Sequence, residues 1–491
     1  MTTTTRAATD RRRDAIAMIG IAIVVLVLRL PLHSIAVLSV DESAYMLVAR
    51  DLLDGVWPFA GNFDHKPVGI YYHYAVAMGL GGEDPSSIRW LTTIAALVSA
   101  LVLFWMARAL AQLPLFFAVT VAIVWSFASF GLEGFSANTE MIIAPYLIGW
   151  IATFLAFARG HAGFVNSVLL SGAFAGVAVQ INYLGGPLLA CLYVAALVGA
   201  PRAGLKWALA SGSVSILVAL LQWLPLIVAG TLPNYLLLQA EFLFNYQGTA
   251  DRVAWDAVLP PLLGQLLPLL VIVLVALVLL RPGRDQRDFV VIGSGATIGG
   301  LGAALTSFHL YAHYFYLVLP GLFILAIALL AAAEGTHRRL FAYALIAAGI
   351  PGLLIVLGEL DRGYTMPTPE QLTADPGIDR NRAVAAHYRP VIPAGSTGYV
   401  VCDQPALYLL LDLEDVTDTP FWILHLYPFL ERIDAAEEVA FIRAEQPEFL
   451  LIGTSCTPAA EALVRSAFAD YRRADEYLNV ELWTAPQARL N

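Results

Sequence analysis

The stretch "DAIAMIGIAIVVLVLRLPLHSIAVLSVDESAYMLVARDLLDG", residues 14–55, runs from a long apolar segment straight into two adjacent carboxylates, Asp41 and Glu42. Its apolar part, residues 15–33, is long enough to cross a hydrocarbon core of roughly 30 Å. Runs of the same kind recur at about 88–111, 113–131, 139–158, 164–181, 183–200, 206–230, 260–281, 289–307, 310–332 and 338–358, eleven in all. With 59% hydrophobic and 13% charged residues among 491, the chain has too much apolar surface for an ordinary soluble fold. It reads as a polytopic α-helical membrane protein of about eleven transmembrane helices.

Charge supplies the orientation. With a cytoplasmic amino terminus, the inward connections carry Arg6, Arg11, Arg12, Arg13, Arg108, Arg159, Arg202, Lys206, Arg281, Arg284, Arg287, Arg338 and Arg339, whereas the outward ones carry only Arg50, Lys66, Arg89 and Arg252. That asymmetry is the positive-inside pattern. The first run is longer than a secretory h-region, and no small-residue cleavage site follows it. Residues 1–14 are therefore expected to stay as a cytoplasmic amino terminus, and 15–358 to form the membrane domain with long outward loops at 34–87 and 231–259.

From residue 359 the composition changes to 21 Asp and Glu against 10 Lys and Arg. Helix-like stretches such as "NRAVAAHYRPVI" and "AAEEVAFIRAEQ" alternate there with strand-like runs such as "TGYVVCD" and "PEFLLIG". Alternation of that kind predicts a soluble, extracytoplasmic α/β domain over 359–491 with a small, partly parallel sheet. "GSGATIGGLG", residues 293–302, resembles a phosphate loop but lies inside an apolar run, where small residues let helices approach closely. Three cysteines make no metal site; Cys191 belongs to the membrane core, and pairing of Cys402 with Cys456 is left open.

At 100° per residue, Ala44, Tyr45, Val48, Ala49, Leu52 and Leu53 share one face, which predicts an amphipathic helix over 41–54 lying along the membrane surface. Asp41 at its start is either an N-cap or a functional carboxylate. Glu42 suits the first turn of the helix dipole, and Arg50 is placed to pair with Asp54. The outward "NFDHKPVGIYYHY" packs Asp64, His65, Lys66, Tyr71, Tyr72 and His73 together. "GLEGFSANTEMIIAP" sets Glu140 where an unpaired carboxylate is costly to bury, while Glu133 has a capping or solvated reading. In "SFHLYAHYFYLVLP", His309 and His313 share a helical face near Tyr314 and Tyr316, an aromatic belt from which only His313 stands out.

The order "VDESAYMLVARDLLDGVWPF", "DHKPVGIYY", "SSIRWLTT", "ANTEM" and "HYFYLVLP", followed by an outward soluble domain, resembles the GT-C membrane glycosyltransferases. Within them it is similar to the protein O-mannosyltransferase and aminoarabinose (lipid A) transferase branch, over about residues 15–335. The resemblance implies a GT-C type fold and transfer of a sugar from a polyprenyl-phosphate donor to an acceptor glycan, lipid or protein hydroxyl, outside a bacterial inner membrane. It implies that Asp41 is the catalytic base and that Lys66 contacts the donor phosphate. Two departures concern sugar or acceptor recognition. His65, Lys66, Pro67 and Val68 stand where aminoarabinose transferases have Glu-Lys-Pro-Pro, and "QINYLGG" replaces a lysine frequent after the fifth span.

The candidate set follows. Asp41 and Glu140 are catalytic candidates, and Lys66, Arg252 and Arg89 are the phosphate ligands on a surface otherwise poor in cations. Glu42, Asp64, His65, Tyr71, His313 and Tyr314 are expected to line the substrate. A divalent cation held by Asp41, Glu42 and Glu140 stays unassigned, relatives generally not needing one, and no nucleic-acid partner is expected. The competing readings are a secondary transporter, whose site belongs near the bilayer midplane, and a non-catalytic protein that binds lipid-linked sugars. Sugar and acceptor are not named by the sequence.

Overall fold

The computed structural model describes residues 2–60, 64–245, 255–306, 310–360, 368–375, 379–403, 405–416, 435–454 and 458–488. The helices in chain order are α1 (Thr2–Arg29), α2 (Val40–Leu53), α3 (Gly69–Gly81), α4 (Arg89–Trp105), α5 (Leu115–Ala128), α6 (Thr139–Ala158), α7 (Phe164–Ile181), α8 (Gly185–Gly199) and α9 (Pro201–Leu221). They continue as α10 (Leu224–Ala229), α11 (Leu232–Asn245), α12 (Trp255–Pro261), α13 (Leu267–Leu280), α14 (Arg287–Thr306), α15 (Leu319–Ala332) and α16 (Gly335–Leu360). Two compact units result: Met1–Pro31, Trp90–Gln222 and Asp251–Asp361 form the first, and Leu32–Arg89, Trp223–Ala250 and Arg362–Asn491 the second.

In the first unit, helix length and apolarity follow the expected runs. Nine helices among the described residues are long and apolar enough to cross a membrane, from Arg11–Ser34 to Gly335–Ile355. The runs at 113–131 and 183–200 instead give α5 and α8, apolar helices of 14 and 15 residues. Both are shorter than the roughly 20 residues of a typical span, so nine of the eleven expected runs reach that length among the described residues. Gly204–Ala229 leaves Ile216, Leu217, Leu220 and Leu221 exposed. A surface of that kind favours a hydrocarbon environment over water.

Close packing depends on the glycines of α14. A Cβ on Gly299 would stand 3.0 Å from the Cα of Leu188, and one on Gly300 would stand 2.4 Å from the carbonyl oxygen of Leu317. The small residues of 293–302 thus seat α14 against α8 on one side and against the turn before α15 on the other. Gly300→Ala is expected to lower stability by about 1–3 kcal/mol, since the obstructing atom is backbone and cannot rotate away. Gly302→Ala, whose Cβ meets nothing within 4 Å, is the matched control, and detergent thermal melts of the two variants make the comparison.

In the second unit, α17 (Pro369–Ala374), α18 (Arg380–Tyr388) and α19 (Ala406–Leu411) accompany a five-stranded sheet. Its strands are β1 (Thr397–Val401), β2 (Glu414–Asp415), β3 (Phe449–Ile452), β4 (Arg472–Tyr477) and β5 (Val480–Thr484), in the order β2-β1-β3-β5-β4. β1 runs parallel to β2 and β3, and β5 is antiparallel to β3 and β4. Tyr399, Val401, Ile442, Leu450, Ile452, Val464 and Phe468 form the core beside it. Cys402 is disulfide-bonded and Cys191 is free; Cys456 lies outside the described residues.

Two ion pairs fasten the carboxy-terminal part of this unit to its first segment. Arg50 donates to the Leu413 carbonyl at 3.1 Å and lies 3.2 Å from Asp415, rather than pairing with Asp54. Arg382 holds Asp84 through both terminal nitrogens at 2.9 and 2.6 Å, and its Nε lies 3.6 Å from Asp379. Burial raises the Asp84 pKa, but hydrogen bonds from Arg382 and Ser86 and the guanidinium charge lower it to about 2. A folded pKa below the unfolded one gives stability that is present above the ordinary carboxylate range and is lost as pH falls toward 2. The difference in melting temperature between the native protein and Asp84→Asn is therefore expected to shrink between about pH 4 and pH 2.

Candidate functional site

The acidic pair separates into two environments. Ser39 is the N-cap of α2, so Asp41 and Glu42 occupy the second and third helical positions. Glu42 reaches back to accept the backbone N–H groups of Leu38 at 2.8 Å and Ser39 at 3.4 Å, as a capping-box residue does. Both of its oxygens also meet Arg89, whose Nη1 and Nη2 donate at 2.5 Å each. The two side chains are fully buried. Arg89 further donates to the carbonyls of Ile35 and Ala36 at 3.3 and 3.1 Å, and the Ala36 N–H donates to Asp379 at 2.6 Å.

Asp41 is relieved of capping duty. Its Oδ2 accepts the Tyr45 hydroxyl at 3.1 Å and lies 3.9 Å from the Lys66 ammonium. Its side chain is 23% exposed, against 0% for Glu42, so of the pair Asp41 is the one that solvent or a ligand reaches. Around it, α2 is not a surface helix: Ala44 to Ala49 are all buried, with α3 and α19 packed against it.

The Lys66 segment is built on Asp64. This carboxylate is buried completely and lies 2.7 Å from Nδ1 of His65. Burial pushes its pKa up, but His65 and Lys66 outweigh that and leave it below the ordinary value. Tyr71 donates to the Lys66 carbonyl at 3.2 Å and reaches Asp64 at 3.5 Å. The His65 ring stacks on Phe242 of α11 with centroids 4.0 Å apart. α11 fills part of the expected 231–259 loop with helix; Arg252 lies outside the described residues, as does His309.

The first unit holds the remaining candidates. Glu140 opens α6 and is buried. Asn182, in the "QINYLGG" stretch, donates to Glu140 Oε1 at 2.7 Å, and the Thr139 hydroxyl donates to Oε2 at 3.1 Å. Asn138, the N-cap of α6, is buried with both side-chain polar atoms lacking a hydrogen-bond partner among the described residues. His313 Nδ1 lies 2.7 Å from Glu133, stacks on Tyr311 and meets Tyr314 edge-on. Tyr314 itself is buried.

Sequence reading passes over Arg29, which sits unmarked inside the first apolar run. It is buried, donates to the carbonyls of Ser129 and Gly134 at 3.0 and 3.1 Å and to the Ser129 hydroxyl at 2.9 Å, and lies over the Phe130 ring. It thereby fixes the loop that carries Glu133 and leads to Glu140. An arginine within a membrane run is the available signal. Asp379, Asp84 and Arg382 carry none, because the bonds from Ala36 to Asp379 and from Arg382 to Asp84 join residues 343 and 298 positions apart.

No group of three or more His, Cys, Asp or Glu is placed to hold a metal ion among the described residues. Of the three carboxylates considered for a cation, Glu42 has both oxygens on Arg89.

Comparison with solved structures decides the architecture. ArnT from Cupriavidus metallidurans bound to undecaprenyl phosphate superposes with a TM-score of 0.62 at 16% identity, over 96% of this chain and 98% of that one. The chain has the GT-C fold. The apo form of the same ArnT matches this chain with a TM-score of 0.58 at 14% identity, over 98% of it and 100% of ArnT. In sequence, 133 residues are 30% identical to the undecaprenyl phosphate-alpha-4-amino-4-deoxy-L-arabinose arabinosyl transferase of Edwardsiella ictaluri (strain 93-146). That match spans 25% of this chain and 24% of that relative. No protein-family model matches.

Proposed function

We propose that this protein is an inverting glycosyltransferase of the bacterial inner membrane that moves a sugar from a polyprenyl-phosphate donor to an acceptor hydroxyl on the outward face. The observation that carries the reading is the pairing of a partly exposed Asp41 with Lys66 at 3.9 Å, an acid–base group beside a cation, in a chain with the ArnT fold. The undecaprenyl phosphate held by that ArnT and named for the Edwardsiella relative supports a lipid-linked donor.

In this mechanism the acceptor oxygen attacks the anomeric carbon as the bond from that carbon to the phosphate oxygen breaks. The bonding pair leaves with polyprenyl phosphate, and the acceptor proton passes to Asp41. Lys66 stabilises the charge that grows on the phosphate. A donor phosphate competes for Lys66 and so loosens its hold on Asp41. Asp64, His65 and Tyr71 hold the Lys66 segment in place. Glu42 and Arg89 hold each other in a buried pair. Within the first unit, Glu140 with Asn138, and His313 with Glu133, offer polar groups for a hydroxylated ligand, with Tyr314 beside His313.

Lipid extracts from cells lacking the gene test the reading. Mass spectrometry is expected to show a polyprenyl-phosphate sugar accumulating and then clearing on re-expression. An unchanged pool of such lipids would overturn it.

A further inference from the structure

A cavity of about 660 Å³ in the first unit is unconnected with the chemistry above. It opens between the ends of α6 and α8 and the entry to α14, lined by Arg159, His161, Arg284 and Arg287 together with Asp285 and Asp288. α6 carries Glu140 in its first turn and Arg159 as its C-cap. A helix of 20 residues is about 30 Å long, so this cavity belongs to the opposite membrane surface from Glu140.

One wall is rigid. Arg159 donates to both oxygens of Asp288 at 2.7 Å, to the Leu110 carbonyl at 2.6 Å and to the Asp285 carbonyl at 2.5 Å, with its guanidinium over the Phe289 ring. Asp288 is thus committed. Arg284 and Arg287 are exposed, and no ion pair engages either among the described residues. Three guanidinium groups face two carboxylates, a net positive lining before His161 is counted. The N-terminus of α14 starts at Arg287 and adds the positive end of a helix dipole. Close in sequence to the lining residues His161 and Gly199, Phe164 and Val165 of α7 and Val194 and Val198 of α8 are exposed apolar side chains.

A cationic recess at headgroup level, on helices that carry exposed apolar side chains, is complementary to an anionic amphiphile. We propose that this cavity binds the phosphate headgroup of an anionic membrane lipid. The inference is independent of the sugar-transfer reading.

The test uses the full-length protein in phosphatidylcholine nanodiscs, with phosphatidylglycerol or inorganic phosphate added and binding read by native mass spectrometry. Phosphatidylglycerol is expected to bind the native protein, and to bind Arg284→Gln/Arg287→Gln roughly thirtyfold more weakly, the effect of two surface cations. Equal affinity of the two proteins for phosphatidylglycerol would overturn the proposal. So would inorganic phosphate binding as tightly as the lipid, which would mark a site for the free anion. Unfolding midpoints in phosphatidylcholine alone are expected to coincide. If the double variant fails to fold, Arg284→Gln and Arg287→Gln singly carry the test, each with roughly fivefold weaker lipid binding and, again, equal affinity overturning it.

Discussion

Asp41→Asn is expected to lower sugar transfer by roughly 10²–10⁴-fold, the range for loss of a general base, while leaving the thermal unfolding midpoint of the purified protein unchanged. The second half of that result follows from the start of α2. Capping belongs to Ser39, and the reciprocal backbone contacts belong to Glu42. The Asp41 carboxylate contacts Tyr45 and Lys66, and asparagine keeps an acceptor for the tyrosine hydroxyl at the same position. Chemistry and stability are thereby separated within two adjacent residues. A variant that retains transfer would remove Asp41 from the mechanism, and one that melts early would return it to a capping role.

Arg89→Ala is expected to show the reverse profile. Removing one partner of a fully buried ion pair leaves a desolvated charge and costs about 3–5 kcal/mol. Here the loss includes Glu42 left without its guanidinium and the carbonyls of Ile35 and Ala36 left without a donor. Glu42→Gln, which strands the cation instead, is expected to fall in the same range. The double variant Glu42→Leu/Arg89→Met restores part of the loss, since an apolar replacement no longer buries a charge, but the two orphaned carbonyls prevent full recovery. Differential melts in detergent measure all three. Single variants costing less than 1 kcal/mol would show that the pair is not the fastener described.

The contrast between these two residues marks the limit of what sequence discloses. Apolar runs of span length are periodic and local, so most helices of the first unit are legible, as is the close packing that the glycines of α14 require. Alternation of helix and strand likewise gave the mixed sheet of the second unit. Two runs fell short of span length because turns shorten α5 and α8 at their ends.

The helical wheel of α2 misled for a visible reason. Met46 and Leu47 lie outside the expected apolar face, so residues 44–49 are apolar nearly all round, the mark of a buried helix rather than a surface one. The order of motifs set Asp41 near Lys66, and the structure puts them 3.9 Å apart. No local pattern says which of two adjacent carboxylates is buried, that Arg50 turns to Asp415, or that Asp379 receives the Ala36 amide. Those pairings join segments more than 300 residues apart, where periodicity has no reach.

Phosphorus NMR of the purified protein, reconstituted with a polyprenyl-phosphate sugar and a mixture of candidate acceptors, tests the central claim most directly. Sugar transfer converts the donor phosphodiester into a phosphomonoester. The expected result is loss of the diester signal and growth of the monoester with the native protein, and neither change with Asp41→Asn. A diester that persists while the sugar lipid is carried across the bilayer intact would contradict the account and establish a transporter.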